Sequence, residues 1–267
     1  MIDAHEATAK RSGARILFSC GFDSVPFDLG VFTAEMGARK KYGHASPRVK
    51  GRVRVVKGGI SGGTAASLKA TLAAVARDPG LGRLLGNPFA LTPGFFGPRQ
   101  PAGLLPEYDA TISAWVAPFI MAPVNTKTIH RTNFLLGHAY GRNFVYDEMQ
   151  VTGLGDMGKA AAETLARFNP FAVKAPRPGE GPTAAERDAG YYDLMFIALM
   201  PEGGCVECVV TGDKDPGYGS TSKIAAETAL LLLETESDGG IWTPTALMKE
   251  RLRERLCERA GLSFRFG

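Results

Sequence analysis

Residues 15–24 have the sequence Arg-Ile-Leu-Phe-Ser-Cys-Gly-Phe-Asp-Ser, and this stretch decides the fold class. The apolar run 15–20 has the length of a buried strand. Ser24, followed by Pro26 two positions later, is a cap-and-start signal that predicts a helix over 27–38. A buried strand that passes through a short loop into a helix is typical of α/β proteins.

A helix is also predicted over 2–11, closed by Gly13. A strand without polar alternation must be flanked by parallel strands and covered on both faces, so we expect the strand 15–20 to belong to a larger parallel sheet. Ligands of such sheets bind beyond the carboxyl ends of the strands, which makes the loop that follows a candidate site. Asp23 and Ser24 are its polar groups, although Asp23 could equally cap a helix.

Composition excludes several classes of protein. The 267 residues carry a formal net charge of +4, with 45% hydrophobic and 22% charged residues, as in globular proteins of one large domain or two. The longest basic run is 39–41, which is too short for a nucleic-acid footprint. The apolar stretch 194–200 is far shorter than the ~20 residues that cross a bilayer, and no signal-peptide pattern opens the chain. We therefore expect a cytoplasmic protein.

The cysteines and histidines do not predict a metal site. Four cysteines are too few for a disulfide framework in a chain of this length. Cys205 and Cys208 have the spacing of a zinc or redox pair, but they lie in a β-rich run and no second ligand pair accompanies them. We interpret them as ordinary buried thiols.

A second region begins near residue 47, where the pattern changes to alternation over 49–57, a glycine turn and a helix over 64–77. Pro and Gly crowd residues 78–107, which predicts a long irregular excursion. The remaining pattern is α+β. Further strands are predicted around 108–116, 144–152, 193–199 and 206–211, and further helices over 222–233 and 246–259.

The glycine-rich turn 58–64 leads from a predicted strand into a predicted helix. Such a turn can bring backbone amides close to an anion at a helix N-terminus, with hydroxyl groups as additional donors. It can equally be a tight turn capped by a hydroxyl, and the spacing favours this second interpretation. The candidate ligand contacts here are Ser61, Gly62, Gly63 and Thr64.

Residues 153–158, Gly-Leu-Gly-Asp-Met-Gly, match the dinucleotide-binding fingerprint. That motif functions within a βαβ unit, whose second parallel strand holds the ribose through an acidic residue about 20 positions later. A helix is expected over 159–168, but residues 169–182 contain four prolines and no strand pattern. We therefore interpret the match as a glycine-rich turn.

Residues 213–219 pack turn-forming residues between a strand and a helix. Tyr218 and Lys223 have the residue types of the tyrosine–lysine pair of short-chain dehydrogenases. That chemistry needs both side chains on one helix face at i and i+4, whereas the interval here is five and Tyr218 precedes the helix. We set this mechanism aside and keep Tyr218 as a candidate ligand contact.

Four separated motifs occur together and in order. They are 19–30 (Ser-Cys-Gly-Phe-Asp-Ser-Val-Pro-Phe-Asp-Leu-Gly), 61–67 (Ser-Gly-Gly-Thr-Ala-Ala-Ser), 179–182 (Gly-Glu-Gly-Pro) and 212–219 (Gly-Asp-Lys-Asp-Pro-Gly-Tyr-Gly). With these motifs the chain resembles the saccharopine-dehydrogenase-like oxidoreductases, in particular their branch of trans-acting enoyl reductases.

The resemblance implies a fold made of an α/β remnant of a Rossmann-like domain and an α+β domain. Residues 1–45 would be the late part of the Rossmann-like dinucleotide-binding domain. Residues 46–216 would be the inserted α+β domain for substrate binding and dimerisation, and 217–267 a helical segment that packs back on the first domain. The family's glycine-rich phosphate turn would precede Met1, so the chain would begin partway through the nucleotide-binding fold.

The resemblance also implies hydride transfer from NADP- or NAD-type cofactors to a small-molecule or lipid-like substrate, in a homodimer. The predicted cofactor-binding residues are Cys20, Gly21, Phe22, Asp23 and Ser24. The predicted substrate-binding residues are Ser61, Gly62, Gly63, Thr64 and Tyr218. No catalytic residue is assigned, and cofactor binding by this chain alone is an open question.

The alternative hypothesis is a non-catalytic remnant that serves as a dimerisation module or contacts a membrane surface. Its motivation is the fingerprint that the family would place before Met1, together with a set of apolar loop residues that could face a partner or a lipid. These residues are Phe89, Phe95, Phe96, Phe119 and Met121.

Overall fold

A computed structural model describes residues 1–59, 61–167 and 176–267, which form an α/β fold. The strands are β1 (Arg15–Leu17), β2 (Arg48–Lys57), β3 (Glu107–Asp109), β4 (Ala114–Pro118), β5 (Val145–Gly153), β6 (Tyr191–Leu199), β7 (Cys205–Gly212), β8 (Gly240–Trp242) and β9 (Leu262–Phe266). The helices are α1 (Ile2–Ser12), α2 (Val25–Tyr42), α3 (Gly62–Arg77), α4 (Pro79–Gly86), α5 (Ala122–Leu135), α6 (Gly155–Ala166), α7 (Ala184–Ala189), α8 (Thr221–Leu233) and α9 (Pro244–Arg259), with a π-turn at Pro216–Ser220.

The main sheet is mixed and has seven strands in the order β3-β4-β5-β2-β6-β7-β9. Among the described strands of this sheet, only β2 and β5 pair in parallel. The chain between them passes through α3, α4, β3, β4 and α5 before it returns in the same direction. The hairpin from β6 to β7 turns at Gly203 and Gly204, whose φ angles of 93° and 81° lie in the left-handed region. Strands 49–57, 144–152, 193–199 and 206–211 of the sequence prediction are confirmed within one or two residues.

The strand predicted over 15–20 is shorter than expected. β1 ends at Leu17, and the chain leaves the extended conformation at Ser19, which has a φ of 56°. Among the described residues β1 pairs only with β8, in parallel, from Arg15 opposite Gly240 to Leu17 opposite Trp242. β1 is half-buried and not fully covered. The structure therefore contains a two-stranded parallel pair, and a larger Rossmann-like sheet stays a prediction.

Helix α2 is the central helix and lies across β6 and β7. Glycines allow this close approach: a Cβ atom at Gly30 would lie 2.2 Å from the ring of Phe196, and one at Gly37 would lie 2.5 Å from Phe266. The core is one continuous apolar cluster that extends from Phe22 to Leu262. It crosses both predicted domain boundaries, at 45/46 and 216/217, and those boundaries stay predictions.

Several local predictions were wrong or incomplete. The single strand predicted over 108–116 is a hairpin of β3 and β4, which turns at Ser113 with a φ of 52°. The excursion 78–107 contains α4, which begins because the carboxylate of Asp78 accepts a hydrogen bond from Gly80. Helix α6 begins at Gly155, not at 159, and its predicted end at 168 lies outside the described residues. The sequence did not predict α5, β8 or β9.

No helix within the described ranges is long and apolar enough to span a membrane.

Arg131 fastens the pair β1 and β8 to the rest of the molecule. Its side chain on α5 is fully buried. The guanidinium donates to Glu6 Oε2 on α1 at 3.0 Å, to the Ile241 carbonyl on β8 at 2.7 Å and to the Leu91 carbonyl at 3.1 Å. The Arg131 side chain therefore connects α5 to α1, to β8 and to the segment around Leu91.

We expect Arg131→Met to lower the free energy of unfolding by about 3 kcal/mol, because it leaves the buried Ile241 carbonyl, the partly buried Leu91 carbonyl and the partly buried Glu6 carboxylate without their donor. Urea titration followed by circular dichroism measures the change. The control is Arg142→Met, since Arg142 is exposed and stacks 4.9 Å from the Phe95 ring centroid. It should cost less than about 1 kcal/mol, and equal losses in both variants would contradict the role of Arg131.

Candidate functional site

The loop after β1 bends sharply into α2. The carbonyl of Gly21 accepts from the amides of Ser24 and Val25, at 3.2 and 3.0 Å, and these bonds start the helix. Cys20 and Asp23 are half-buried, whereas Ser24 is buried. Burial raises the pKa of the Cys20 thiol and of the Asp23 carboxyl. The loop thus presents Cys20 and Asp23 at its partly open side.

Phe22 anchors this loop to the core. Its ring lies 4.5 Å from the ring of Tyr192 and 5.6 Å from that of Phe27, measured between centroids. Its amide donates to the Thr221 hydroxyl at 3.1 Å. Phe22 is only 4% exposed, so its ring packs in the core and holds the loop in place, while cofactor contact by Cys20, Gly21, Phe22, Asp23 and Ser24 stays a prediction.

Three glycine-containing segments meet beyond the end of β2, and we call them the glycine cluster: residues 58–59 with 61–63, residues 177–182, and residues 215–219. The amide of Gly62 donates to the Glu180 carbonyl at 2.9 Å. A Cβ atom at Gly62 would lie 1.7 Å from the Arg177 carbonyl oxygen, and one at Gly181 would lie 2.7 Å from the ring of Tyr218. Glycine is required at these contacts because the backbones approach so closely.

The cluster brings the predicted substrate-binding residues to one place but uses most of their amides internally. Ser61 Oγ accepts from the amide of Thr64 at 3.1 Å and caps α3. The fully buried carboxylate of Asp215 accepts from Tyr218 and Gly219, at 3.1 and 2.7 Å. The structure therefore supports the helix-cap interpretation of the turn at 58–64. Substrate contact by Ser61, Gly62, Gly63, Thr64 and Tyr218 stays a prediction.

Thr221 joins the loop after β1 to the glycine cluster. Its hydroxyl accepts from Phe22 and donates to the Pro216 carbonyl at 2.7 Å. A second link runs from the Tyr192 hydroxyl to Ser220 Oγ, at 2.9 Å. The predicted cofactor loop and the predicted substrate residues are consequently parts of one continuous region.

A buried polar chain lies beneath this region. Ser24 Oγ donates to Asn125 Oδ1 on α5 at 3.5 Å, and Asn125 Nδ2 donates to Glu148 Oε1 on β5 at 2.8 Å. The Tyr146 hydroxyl donates to Glu148 Oε2 at 2.7 Å. A Cβ atom at Gly51, opposite Glu148 on β2, would lie 2.4 Å from the Tyr146 oxygen. Glycine at 51 thus leaves room for the chain.

Burial raises the pKa of Glu148 to about 8, so this carboxyl retains its proton at neutral pH. Sequence analysis missed Asn125 and Glu148. The one available signal was the adjacent acidic pair Asp147-Glu148 within a predicted strand.

The structure also locates the Tyr218–Lys223 and Cys205–Cys208 motifs of the sequence. Tyr218 precedes α8, and Lys223 Nζ pairs with Asp213 at 3.8 Å, so no tyrosine–lysine pair forms. Cys208 is buried, with a pKa raised to about 12 by burial, and Cys205 is half-buried. The part of the chain that the structure describes contains no cluster of metal-ligating side chains.

The fingerprint match at 153–158 connects β5 to α6. The next strand in the chain, β6, is antiparallel to β2 and does not adjoin β5. No βαβ unit forms around the motif in the described ranges, which agrees with its interpretation as a turn. Residues 168–175, which include Pro170, lie outside those ranges.

A shallow depression of about 440 Å³ lies at the opposite end of β2 from the glycine cluster. Arg48, Arg99 and Gln100 line it, and the Arg48 guanidinium is already paired with Asp147 at 2.9 Å. It does not adjoin the loop after β1.

Comparison with known proteins identified several mycobacterial relatives. The chain is 36% identical to Rv2449c of Mycobacterium tuberculosis strain H37Rv, whose name provisionally describes it as a trans-acting enoyl reductase, over 98% of this chain and 69% of the relative. It is 27% identical to trans-acting enoyl reductases of Mycobacterium bovis BCG and Mycobacterium ulcerans, over 96% of this chain and 68% of each relative. No family model and no solved structure matches the chain.

We expect Gly62→Ala to lower the free energy of unfolding by about 2 kcal/mol, because its methyl group would overlap the Arg177 backbone. The neighbouring Gly63→Ala is the matched control, since its methyl group would have only Ser61 Oγ nearby, at 3.7 Å. Limited proteolysis near residues 177–182 should accelerate in the first variant alone. Equal behaviour of the two variants would show that the segments do not pack as described.

Glu148→Gln should become more stable relative to the native chain as pH rises. The folded pKa of Glu148 is raised from 4.5 to about 8. The native chain is therefore most stable, with respect to this group, below pH 4.5, where Glu148 is protonated in both the folded and the unfolded state. As pH rises from 4.5 through about 8, the unfolded state loses this proton more readily than the folded state, and that stability is lost. Glutamine does not ionise, so the difference in Tm between variant and native chain should grow by several degrees from about pH 5.5 to about pH 8.5.

The control for this pH series is the exposed Glu254→Gln. A Tm difference for Glu148→Gln that does not change with pH would contradict a proton held on the buried carboxyl.

Proposed function

The chain belongs to the trans-acting enoyl reductase family, and from this premise we propose that it reduces the carbon–carbon double bond of an enoyl thioester with NADPH or NADH. The observation that carries the proposal is the similarity over 98% of the chain, which takes in every loop of the candidate site. We further propose a lipid-type acyl chain as the substrate.

The placement within the saccharopine-dehydrogenase-like oxidoreductases is part of this proposal. It is supported by the motifs at 19–30, 61–67, 179–182 and 212–219, which have a common location in the fold. The first motif forms the loop after β1, and the other three form the glycine cluster that Thr221 joins to that loop. A homodimer, as expected from that family, is likewise proposed.

The residues of the loop after β1 suit the nicotinamide end of the cofactor. Parallel strands β1 and β8 end side by side at Leu17 and Trp242, and ligands of parallel sheets bind beyond such ends. Residues 16–24 contain the acidic Asp23 and no lysine or arginine. Because phosphate groups need positively charged partners, this loop suits the uncharged ring of a reduced nicotinamide better than the phosphates of the cofactor.

When bound, the reduced cofactor supplies a hydride to the β-carbon of the enoyl group, and a proton must reach the α-carbon. The chain's own residues would orient the ring and exclude water. Phe22 and Thr221 fix the loop, and the cap at Ser61 with Tyr218 fixes the substrate side. Ile120 and Val124, which are 51% and 44% exposed, flank Asn125 and provide apolar surface for an acyl chain.

The alternative of a membrane-contacting remnant loses most of its motivation in the structure. Phe89 and Phe95 are buried, at 7% and 9% exposure, and Phe119 packs against the core. Of the four phenylalanines named for that hypothesis only Phe96 is largely exposed, at 78%. These side chains therefore do not form a continuous apolar patch.

Titration of the purified chain with NADPH and NADH, followed by nicotinamide fluorescence, tests the proposal, and loss of nicotinamide absorbance with an enoyl-CoA tests turnover. We expect saturable binding and substrate-dependent oxidation. Gly21→Val should weaken cofactor binding at least about tenfold, because a Cβ atom there already lies 3.1 Å from Thr221 Cγ2.

Gly86→Val is the matched control, since nothing lies within 4 Å of its Cβ position. Absence of binding of either cofactor, in a chain shown to be folded, would overturn the proposed function.

A further inference from the structure

The buried chain of Ser24, Asn125, Glu148 and Tyr146 is not needed to close the core, since apolar residues of similar size would fill the same space. Glu148 is 2% exposed, and within the described residues it forms no salt bridge. An uncompensated carboxyl in such a place costs stability unless its hydrogen bonds are satisfied. We therefore look for a functional role of these hydrogen-bonded residues.

This series of hydrogen bonds ends at Ser24, in the loop after β1. Ser24 is the N-cap residue of α2, yet its side chain makes no capping hydrogen bond to the helix. Its hydroxyl is directed instead to Asn125 Oδ1, across 101 positions of sequence. Because Ser24 closes the loop that begins at Cys20, the position of the Asn125 amide bears directly on that loop.

Glu148 determines which way this amide faces. Its Oε1 atom accepts from Asn125 Nδ2 at 2.8 Å, which leaves Asn125 Oδ1 as the group that meets Ser24. The Tyr146 hydroxyl, lodged above Gly51, holds the second carboxyl oxygen at 2.7 Å. The side chains of the strand thus fix one rotamer of Asn125.

We propose that Glu148 is a positioning residue of the reductase, which acts through Asn125 to hold the Ser24 end of the loop in register with the nicotinamide. This inference rests on the proposed function, because it takes the loop after β1 as the nicotinamide contact. Glu148 itself does not touch cofactor or substrate. Burial is the main cause that raises the pKa of Glu148, and Asp147 adds to it, whereas the hydrogen bonds from Tyr146 and Asn125 and the charge of Arg52 oppose it; the raised pKa agrees with a carboxyl that stays neutral while it accepts from the amide.

Asn125→Leu breaks the chain with little change in volume, and α5 offers a matched control. Asn133 on the same helix is also buried, and its amide makes two hydrogen bonds, to the Gly141 carbonyl and from the Tyr140 amide. Asn133→Leu should lower Tm to a similar extent, but its partners lie away from the loop after β1. A difference between the two leucine variants therefore reports on the loop and not on general stability.

The first measurement is hydrogen–deuterium exchange of peptides that cover residues 18–27. We expect exchange to accelerate at least about tenfold in Asn125→Leu and Glu148→Leu, since the restrained loop would open locally. It should stay at the native rate in Asn133→Leu. Glu148→Gln retains an acceptor for the Asn125 amide, so it should recover most of the protection that Glu148→Leu loses.

The second measurement is steady-state kinetics with NADPH and an enoyl-CoA. Asn125→Leu should lower kcat by about a hundredfold, the order expected when a reacting group is misplaced by 1 Å. Asn133→Leu should stay within about twofold of the native kcat. The KM for the enoyl substrate should change little in either variant, because the loop faces the cofactor.

The two measurements separate the possible failures. If the native chain neither binds nor oxidises NADPH, the proposed function fails, and the exchange data still decide whether Glu148 and Asn125 restrain the loop. If the native chain is active but Asn125→Leu matches Asn133→Leu in exchange and in kcat, the positioning role of Glu148 is overturned. Failure of Glu148→Gln to recover protection would also overturn it.

Discussion

The seating of α2 on the main sheet is the constraint on which the candidate site depends. Gly30 allows the helix to lie directly on the ring of Phe196, and no larger residue fits there without moving the ring. The loop after β1 is continuous with the first turn of this helix, so its distance from the sheet is fixed by that contact. Phe22 and Thr221 then determine how the loop faces the glycine cluster.

The loops of the site are therefore held by contacts with helices and strands of the fold. The fully buried carboxylate of Asp215 accepts a hydrogen bond from Gly219 within the π-turn and so stabilises that turn. Tyr192 connects the turn to the loop after β1, because its hydroxyl bonds to Ser220 and its ring packs against Phe22. Such support is what a hydride transfer needs, because the rate falls steeply when donor and acceptor carbons are displaced. The energetic cost is a set of buried carboxyls, Asp28, Glu35 and Glu148, whose pKa values burial raises to about 7, 8 and 8.

Sequence patterns predicted those elements whose burial follows a simple period. Strands β2 and β7 alternate in part, β6 is largely apolar, and α9 repeats Met248, Leu252 and Leu256 toward the core. Helix α5 escaped prediction because its buried face is largely polar, so hydrophobic periodicity had nothing to detect. The buried residues of that face are Asn125, Thr128, Ile129, His130, Arg131, Thr132 and Asn133.

The candidate site was likewise predictable only in its local parts. Motifs and glycine spacing singled out the loop after β1 and the three segments of the glycine cluster, but their convergence depends on long-range packing that no local pattern encodes. Strand β1 shows that a local pattern can also predict too much regular structure. Its apolar run extends to Cys20, yet the left-handed φ of Ser19 ends the strand early.

The link between Phe22 and Thr221 spans 199 positions of sequence, and that between Ser24 and Asn125 spans 101. Contacts of such separation form late, because the loop-closure entropy of the intervening chain is lost before they contribute. Gly30 and Phe196 are similarly far apart in sequence, so we expect the seating of α2 on the sheet and the completion of the candidate site to follow only after a long interval. During that interval the chain would expose its apolar surfaces, and its solubility during synthesis would depend on how quickly the two ends of the molecule meet.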